Sequence, residues 1–407
     1  MSTTDTLAPV PLARKMQRIK PSASMMAKKK VETLRSEGKK IIDFTIGEPD
    51  LKTPAHIAQA GIEAIQNGCT KYTATSGIPE LLRAIKEKYQ RENKLDFALD
   101  QLVVGTGAKQ LIFSALSVTL DKDDEVIIPA PYWVSYPDMV LLNDGKPVIL
   151  EASEHNGFKM TAESLEAAIT DRTKWLLLNS PNNPSGSLYT EAELREILAV
   201  LQRYPHVLLM IDEIYEHFSY EQDYISPLMV NSGLGARTLL INGVSKAYAM
   251  TGWRIGYAAG PAYLIKAIST LISQTTSCAS EISQKAAATA LSGDQTCVRE
   301  TTALYKKRRD TMVALLSDIP GLVCPQPQGA FYVFPNVQGL LGKTTPSGKT
   351  LSNDLDIVHY FLDAAGVAVL DGTAYGVPGY IRLSFATDLE TIKIGCEMLS
   401  QACSQLK

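Results

Sequence analysis

Six short apolar runs, each separated from the next by polar or helix-patterned sequence, constrain this 407-residue chain more than any other feature. They are Leu102 to Val104, Glu125 to Ile128, Pro147 to Leu150, Trp175 to Leu178, Val207 to Ile211 and Thr238 to Ile241. None alternates apolar with polar residues, as a strand with one wet face would. Runs of this kind suit strands buried on both faces. Helical patterns lie between several of them, as in Gln110 to Thr119 and Glu191 to Gln202. The expected fold is therefore α/β, with a mostly parallel sheet flanked by helices. Beyond about residue 300 the pattern changes. An amphipathic stretch, Thr301 to Leu316, precedes short strand-like pieces at Ala330 to Phe334, Val367 to Leu370 and Tyr380 to Phe385. These predict a smaller α+β lobe. Residues 336–352, with Gly339, Gly342, Pro346 and Gly348, read as an exposed insertion loop.

Composition narrows the partners. A formal charge of −3 leaves no basic footprint for nucleic acid. No apolar run approaches the roughly 18 residues needed to span a bilayer, so no membrane association is expected. The six cysteines are scattered without a CxxC pair, which argues against a disulfide framework or a zinc site. Free thiols in a reducing cytoplasm are expected, and no metal. The N-terminus lacks the apolar stretch of a secretory signal.

The run Asn242-Gly243-Val244-Ser245-Lys246-Ala247-Tyr248-Ala249-Met250-Thr251-Gly252-Trp253-Arg254 carries the strongest chemical signal. Its lysine follows an apolar strand, with an arginine eight residues on. That arrangement suits Schiff-base chemistry with an aldehyde cofactor whose phosphate meets Ser245 and Arg254. Asp212 ends the strand Val207 to Ile211, the edge where open α/β sheets bind ligands. A strand-ending aspartate can equally cap the next helix. If buried, however, it needs a cationic or hydrogen-bonded partner, and a protonated pyridine nitrogen is one. Tyr215 follows three residues later. Asn179-Ser180-Pro181-Asn182-Asn183-Pro184 forms a rigid turn and can present Asn183 to the same ring. Val104-Gly105-Thr106-Gly107-Ala108-Lys109 joins a strand to a helix N-terminus, a natural anion site. Trp133 can stack on a flat ring or simply pack in the core. Arg382, inside the strand-like Tyr380 to Phe385, is costly there unless an anion meets it. A carboxylate is the natural ligand, with the backbone of Gly47 beside it.

Together these segments resemble the class I aminotransferases of fold type I, in the bacterial and plant-type Ib branch of aspartate aminotransferases. The likeness runs from about Leu12 to the C-terminus. It rests on Gly47-Glu48-Pro49-Asp50, Tyr72 with Gly77-Ile78-Pro79-Glu80-Leu81, Gly107-Ala108-Lys109-Gln110, Tyr132 to Pro137, Asn182-Asn183-Pro184, Asp212-Glu213-Ile214-Tyr215 and Ser245-Lys246 through Arg254. The resemblance implies a large pyridoxal 5′-phosphate (PLP) domain at 45–304 and a small domain from 1–44 and 305–407. It implies that Lys246 holds PLP and moves the proton. Asp212 would bind the pyridine nitrogen, Asn183 and Tyr215 the phenolic oxygen, and Trp133 the ring face. The amides of Gly107 and Ala108, with Ser245, Arg254 and Tyr72 of a second subunit, would hold the phosphate. Gly47, Asn183 and Arg382 would take the substrate's α-carboxylate, and Lys109 and Ser24 a distal one.

Three positions depart from the pattern: Gly243 where many relatives have serine, Ala108 for a glycine, and Ser24 for a threonine. The expected activity is transfer of the amino group of L-aspartate to 2-oxoglutarate by a ping-pong route, in a cytoplasmic homodimer with shared active sites. Aromatic, prephenate or alanine-type transamination on the same scaffold is the alternative. Prephenate-active relatives tend to carry arginine where this chain has Lys20. A ligand-sensing regulator built on the same domain would add an N-terminal DNA-binding domain of some 60 residues. Only about a dozen residues precede the likeness here.

Overall fold

The computed structural model describes residues 11–21 and 23–407, with the side chains of Ala23 and Ser24 also outside the description. A seven-stranded sheet forms its centre. In chain order its strands are β1 (Leu102–Gly105), β2 (Glu125–Ala130), β3 (Lys146–Glu151), β4 (Thr173–Asn179), β5 (Leu208–Asp212), β6 (Thr238–Gly243) and β7 (Gly256–Ala259). Across the sheet they run β1-β7-β6-β5-β4-β2-β3. All neighbours are parallel except β7, which is antiparallel to both β1 and β6. All six anticipated runs are strands. β7 was not anticipated, because Gly256-Tyr257-Ala258-Ala259 is too short and small-sided to stand out as an apolar run. Burial on both faces fails at β3, an edge strand with Ile149 38% exposed.

Helices cover both faces and close two cores. Leu176, Leu178, Leu209, Ile211 and Leu240 point to one, and Trp175, Leu177, Met210, Leu239 and Ile241 to the other, as a period of two requires. Helix Glu191–Arg203 starts on a capping box in which Thr190 Oγ1 accepts from Glu193 N while Glu193 accepts from Thr190 N.

The C-terminal lobe has a third core around Phe331, Ile381, Leu383 and Ile392. Tyr332–Val333, Ile381–Ser384 and Leu370–Asp371 make an antiparallel sheet. The anticipated strand Val367 to Leu370 is two pieces, since Val367–Ala368 pairs instead with Ile42–Asp43. The long helix is Thr296–Ser317, whose Val298 packs with the sheet and whose Tyr305, Met312 and Leu316 pack with the C-terminal lobe. The loop expected at 336–352 is exposed in part: Gly339, Gly342, Pro346 and Gly348 face solvent, while its apolar residues turn inward. Val337, Leu340 and Leu351 are buried, and Thr344 exchanges backbone hydrogen bonds with Lys407 at 2.8 and 3.0 Å. Its glycines are exposed and sit at turns between these buried anchors.

One buried polar cluster fixes the turns that leave β5 and β6. Glu216 accepts from Lys88, from Asn242 Nδ2 at 2.6 Å and from Asn93 Nδ2 at 3.0 Å. Asn242 in turn accepts from Gly243 N at 2.7 Å. Burial pushes the Glu216 carboxyl up, but the Lys88 ammonium and His217 hold it below the ordinary range. Both side chains of the Lys88–Glu216 pair are nearly inaccessible, so either charge alone would be stranded. Lys88→Met should therefore destabilise the protein by about 3–5 kcal/mol, with partial recovery on adding Glu216→Gln. Urea unfolding would read this, and a loss below about 1 kcal/mol would contradict the pairing.

Candidate active site

Five strands of the sheet end at one place. Gly105, Ala130, Asn179, Asp212 and Gly243 are their last residues, and Asn179 and Asp212 are register partners. Above this edge lies a cavity of about 400 Å³, roofed by the segment Thr45 to Glu48 and by Arg382 and Tyr332 of the C-terminal lobe.

Lys246 reaches the cavity from the turn after β6. Gly243 lets that turn form, because a Cβ there would lie 2.9 Å from Ile255 O and 3.1 Å from Gly256 Cα. A side chain at this position would crowd the adjacent antiparallel β7. Lys246 Nζ donates to Gly47 O at 2.6 Å. Burial, opposed by the Glu48 carboxylate, lowers its pKa to about 8. Glu48 itself accepts from Thr251 Oγ1 at 2.7 Å, which ties the roof to the lysine turn.

Asp212 is buried at the cavity floor. Its Oδ2 accepts from Tyr136 Oη at 2.7 Å and its Oδ1 from Ile214 N at 3.2 Å. Burial raises its pKa to about 6, against those hydrogen bonds and the Lys246 charge. Asp212 is a cavity carboxylate held by a tyrosine, not only a turn residue. Tyr215 is buried beside it with its hydroxyl 2.9 Å from that of Tyr332.

The phosphate-loop residues form a cradle. Gly107 has φ +103°, and a Cβ there would sit 2.4 Å from the Arg254 guanidinium. Arg254, in the left-handed region at φ 59°, donates to Thr251 O at 2.8 Å and Thr106 O at 3.2 Å. Ala108 opens the helix Ala108–Ser117, whose N-terminus faces the same space as Ser245. Trp133 stands edge-on to Tyr136 at 5.3 Å. Lys109 Nζ lies 4.6 Å over the Trp133 ring and donates to Ser135 Oγ at 3.2 Å. Burial, then Arg254, lowers its pKa.

Arg382 is 2% exposed. It donates to Thr45 O at 2.6 Å and to Asn183 Oδ1 at 3.2 Å, and among the described residues its Nε has no hydrogen-bond partner. Among the described residues no carboxylate pairs with it. Asn183 is fixed in turn by its N–H, which donates to Asn179 Oδ1 at 2.8 Å.

The structure thus gathers Gly47, Ala108, Lys109, Trp133, Asn183, Asp212, Tyr215, Ser245, Lys246, Arg254 and Arg382 around one cavity, with Gly107 just behind it. Tyr72 is not brought there by its own chain and is 88% exposed. The Ser24 side chain lies outside the described residues. Sequence reasoning missed Tyr136, Tyr332, Glu48 as a charge facing Lys246, and Lys28 at the cavity wall. Tyr136 sat within a quoted motif, but only the fold shows that its hydroxyl meets Asp212.

The profile of the family described as "Aminotransferase class I and II" matches residues 39–399. Aspartate aminotransferase of Rhizobium meliloti (strain 1021) is 51% identical over 374 residues, covering 92% of this chain and 91% of that protein. Aspartate/prephenate aminotransferase of Cereibacter sphaeroides is 48% identical over 396 residues, covering 97% and 99%. The crystal structure of the Rhizobium meliloti aspartate aminotransferase superposes with a TM-score of 0.96 at 48% identity, covering 98% of this chain and 100% of that one. Aspartate aminotransferase from Thermus thermophilus with maleate gives 0.90 at 38% identity, covering 97% and 100%. A family match that spans nearly the whole chain, on a sheet whose strand ends converge as described, has one reading: the chain belongs to the class I and II aminotransferases.

Proposed function

We propose that the protein transfers the amino group of L-aspartate to 2-oxoglutarate, using PLP held at Lys246. The observation that carries this is Arg382, a buried guanidinium without a carboxylate partner among the described residues, facing the same cavity as the Lys246 amine. A cation desolvated at a cost of several kcal/mol calls for an anion, and amino acids and 2-oxo acids both bring a carboxylate. The family is generally PLP-dependent, and the residues fit the group. Asp212, raised to about 6 by burial, gains the cation it lacks from a protonated pyridine nitrogen. The side-chain-free space at Gly107, beside Arg254 and a helix N-terminus, suits a phosphate.

PLP, when bound, supplies the electron sink that acidifies the Cα–H bond of an amino acid. Asp212 keeps the pyridine nitrogen protonated. Asn183 and Tyr215 donate to the phenolic oxygen, and Trp133 covers the ring. The Gly107 and Ala108 amides, Ser245 and Arg254 hold the phosphate, joined by Tyr72 of a second copy in a homodimer. Tyr72's exposure supports that last role. Arg382, Asn183 and the Gly47 backbone hold the α-carboxylate, and Lys246 moves the proton. In this reading residues 45–304 are the cofactor domain, with 1–44 and 305–407 the lobe that brings Arg382. Six unpaired cysteines support a reducing, cytoplasmic setting.

Relatives named for aspartate, and the Thermus structure with maleate, a four-carbon dicarboxylate, support an acidic substrate. Lys109 and Ser24 would receive its distal carboxylate. Prephenate as an additional acceptor is favoured by the relatives named aspartate/prephenate aminotransferase. Assay of the purified protein with aspartate and 2-oxoglutarate, then with prephenate, tests both readings.

A charge-assisted contact is worth roughly 1.5–3 kcal/mol, or about 10–150-fold in specificity. Lys109→Ala should lower kcat/KM for aspartate and glutamate by that range and for alanine or phenylalanine far less. Equal losses would return Lys109 to the phosphate side of the site. The lowered pKa of Lys246 gives a second expectation. Only the neutral amine attacks an aldehyde, so the loading rate of cofactor-free protein should rise with pH and level off above about 8. A rate still climbing tenfold per unit between pH 9 and 10, the range of an ordinary lysine near 10.4, would contradict that environment.

A further inference from the structure

Tyr332 has no role in the reading above, yet it touches three of the residues that do. It is fully buried on the strand Tyr332–Val333, and it lines the cavity. Its hydroxyl lies 2.9 Å from that of Tyr215. Its ring lies beneath Arg382, whose guanidinium carbon is 4.5 Å from the ring centroid. A Cβ at Gly47 would come within 3.1 Å of the same hydroxyl.

Two hydroxyls in one hydrogen bond hold two protons, and only one lies between them. Which phenol donates decides what the other can offer a ligand. Burial raises both pKa values, Tyr215 well above the ordinary value; the Arg382 cation pulls against burial at both, as the second-largest influence on Tyr332 and a lesser one on Tyr215. The phenol beside the cation is the stronger donor. With Tyr332 as the donor, the Tyr215 proton is left to point elsewhere.

We propose that Tyr332 is a positioning residue that donates to the Tyr215 oxygen, so that the Tyr215 O–H is aimed at the cofactor's phenolic oxygen and strengthened as a donor, while its ring supports Arg382. The proposal rests on the reading of Lys246 and Tyr215 given above. A donor that is itself hydrogen-bonded polarises the next bond in the chain. One hydroxyl thus couples the group that meets the cofactor to the cation that meets the substrate.

The test is the pH titration of the visible absorption band of the PLP-loaded enzyme. That band reports the proton at the Lys246 nitrogen, which leaves at lower pH when negative charge on the phenolic oxygen is stabilised. Tyr332→Phe weakens the Tyr215 donor and should move the transition upward by about 0.4–1 pH unit. Because the ring stays under Arg382, KM for the amino donor should hardly change. Tyr332→Leu removes the ring as well and should raise KM by about 2–30-fold in addition. In a Tyr215→Phe background Tyr332→Phe should shift nothing further, since its effect passes through that hydroxyl. A wild-type transition in Tyr332→Phe, or the same shift with Tyr215 replaced, would overturn the proposal alone. A wild-type protein with no pH-sensitive visible band would overturn the reading of the site, and this proposal with it.

Discussion

Arg382 sits inside a strand, almost wholly out of water, with a backbone carbonyl and an amide oxygen for company and no carboxylate among the described residues. Desolvating a guanidinium costs several kcal/mol, and two neutral acceptors only partly offset that. The fold sustains this arrangement through its surroundings. Tyr332 and Tyr375 lie under the guanidinium at 4.5 and 5.4 Å, and the strand Ile381–Ser384 is pinned between two neighbours. Asp212 and Lys246 are strained in the same sense, one carboxyl raised and one amine lowered by burial. Burial disfavours the charge on these two until a partner arrives. A cationic ring nitrogen relieves Asp212 and a carboxylate relieves Arg382, and the neutral amine of Lys246 is the form that chemistry needs.

Such a site must be held from behind, because among the described residues the charged side chains facing the cavity form no ion pair with one another. The Lys88–Glu216–Asn242 cluster does this on the sheet side. It fastens the turn that carries Asp212 and Tyr215 to the turn that leads to Lys246. On the roof, Asp50 takes both Arg308 nitrogens at 2.8 and 2.9 Å, which anchors the segment bearing Gly47 and Glu48 to the long helix Thr296–Ser317. Lys246 and Thr251 then bond to that segment from below. The polar network behind the site and the uncompensated charges within it are two halves of one design.

Much of this was legible in the chain. The buried strands announced themselves as unbroken apolar runs. Lys246, Asp212 and Arg382 stood out because each places a charge against an apolar strand, where a charge needs a reason. What escaped was of two kinds. β7 and the divided strand at Val367 to Asp371 are too short for periodicity to register, and only pairing defines them. The buried segments within 336–352 were masked by glycines, which report backbone bends and say nothing of burial. Tyr136 and Tyr332 were missed because a tyrosine in a strand or helix pattern reads as packing. Its hydroxyl acquires meaning only when the fold brings Asp212 or Tyr215 within 3 Å.

The most direct measurement of the central claim is the covalent address of the cofactor. Borohydride reduction of the PLP-loaded protein, followed by peptide mass mapping, should find one pyridoxyl phosphate group per chain, on the peptide that contains Lys246. Lys246→Ala, folded as judged by circular dichroism, should carry none. A label on a different lysine, or none on a wild-type protein that transaminates aspartate, would contradict the account.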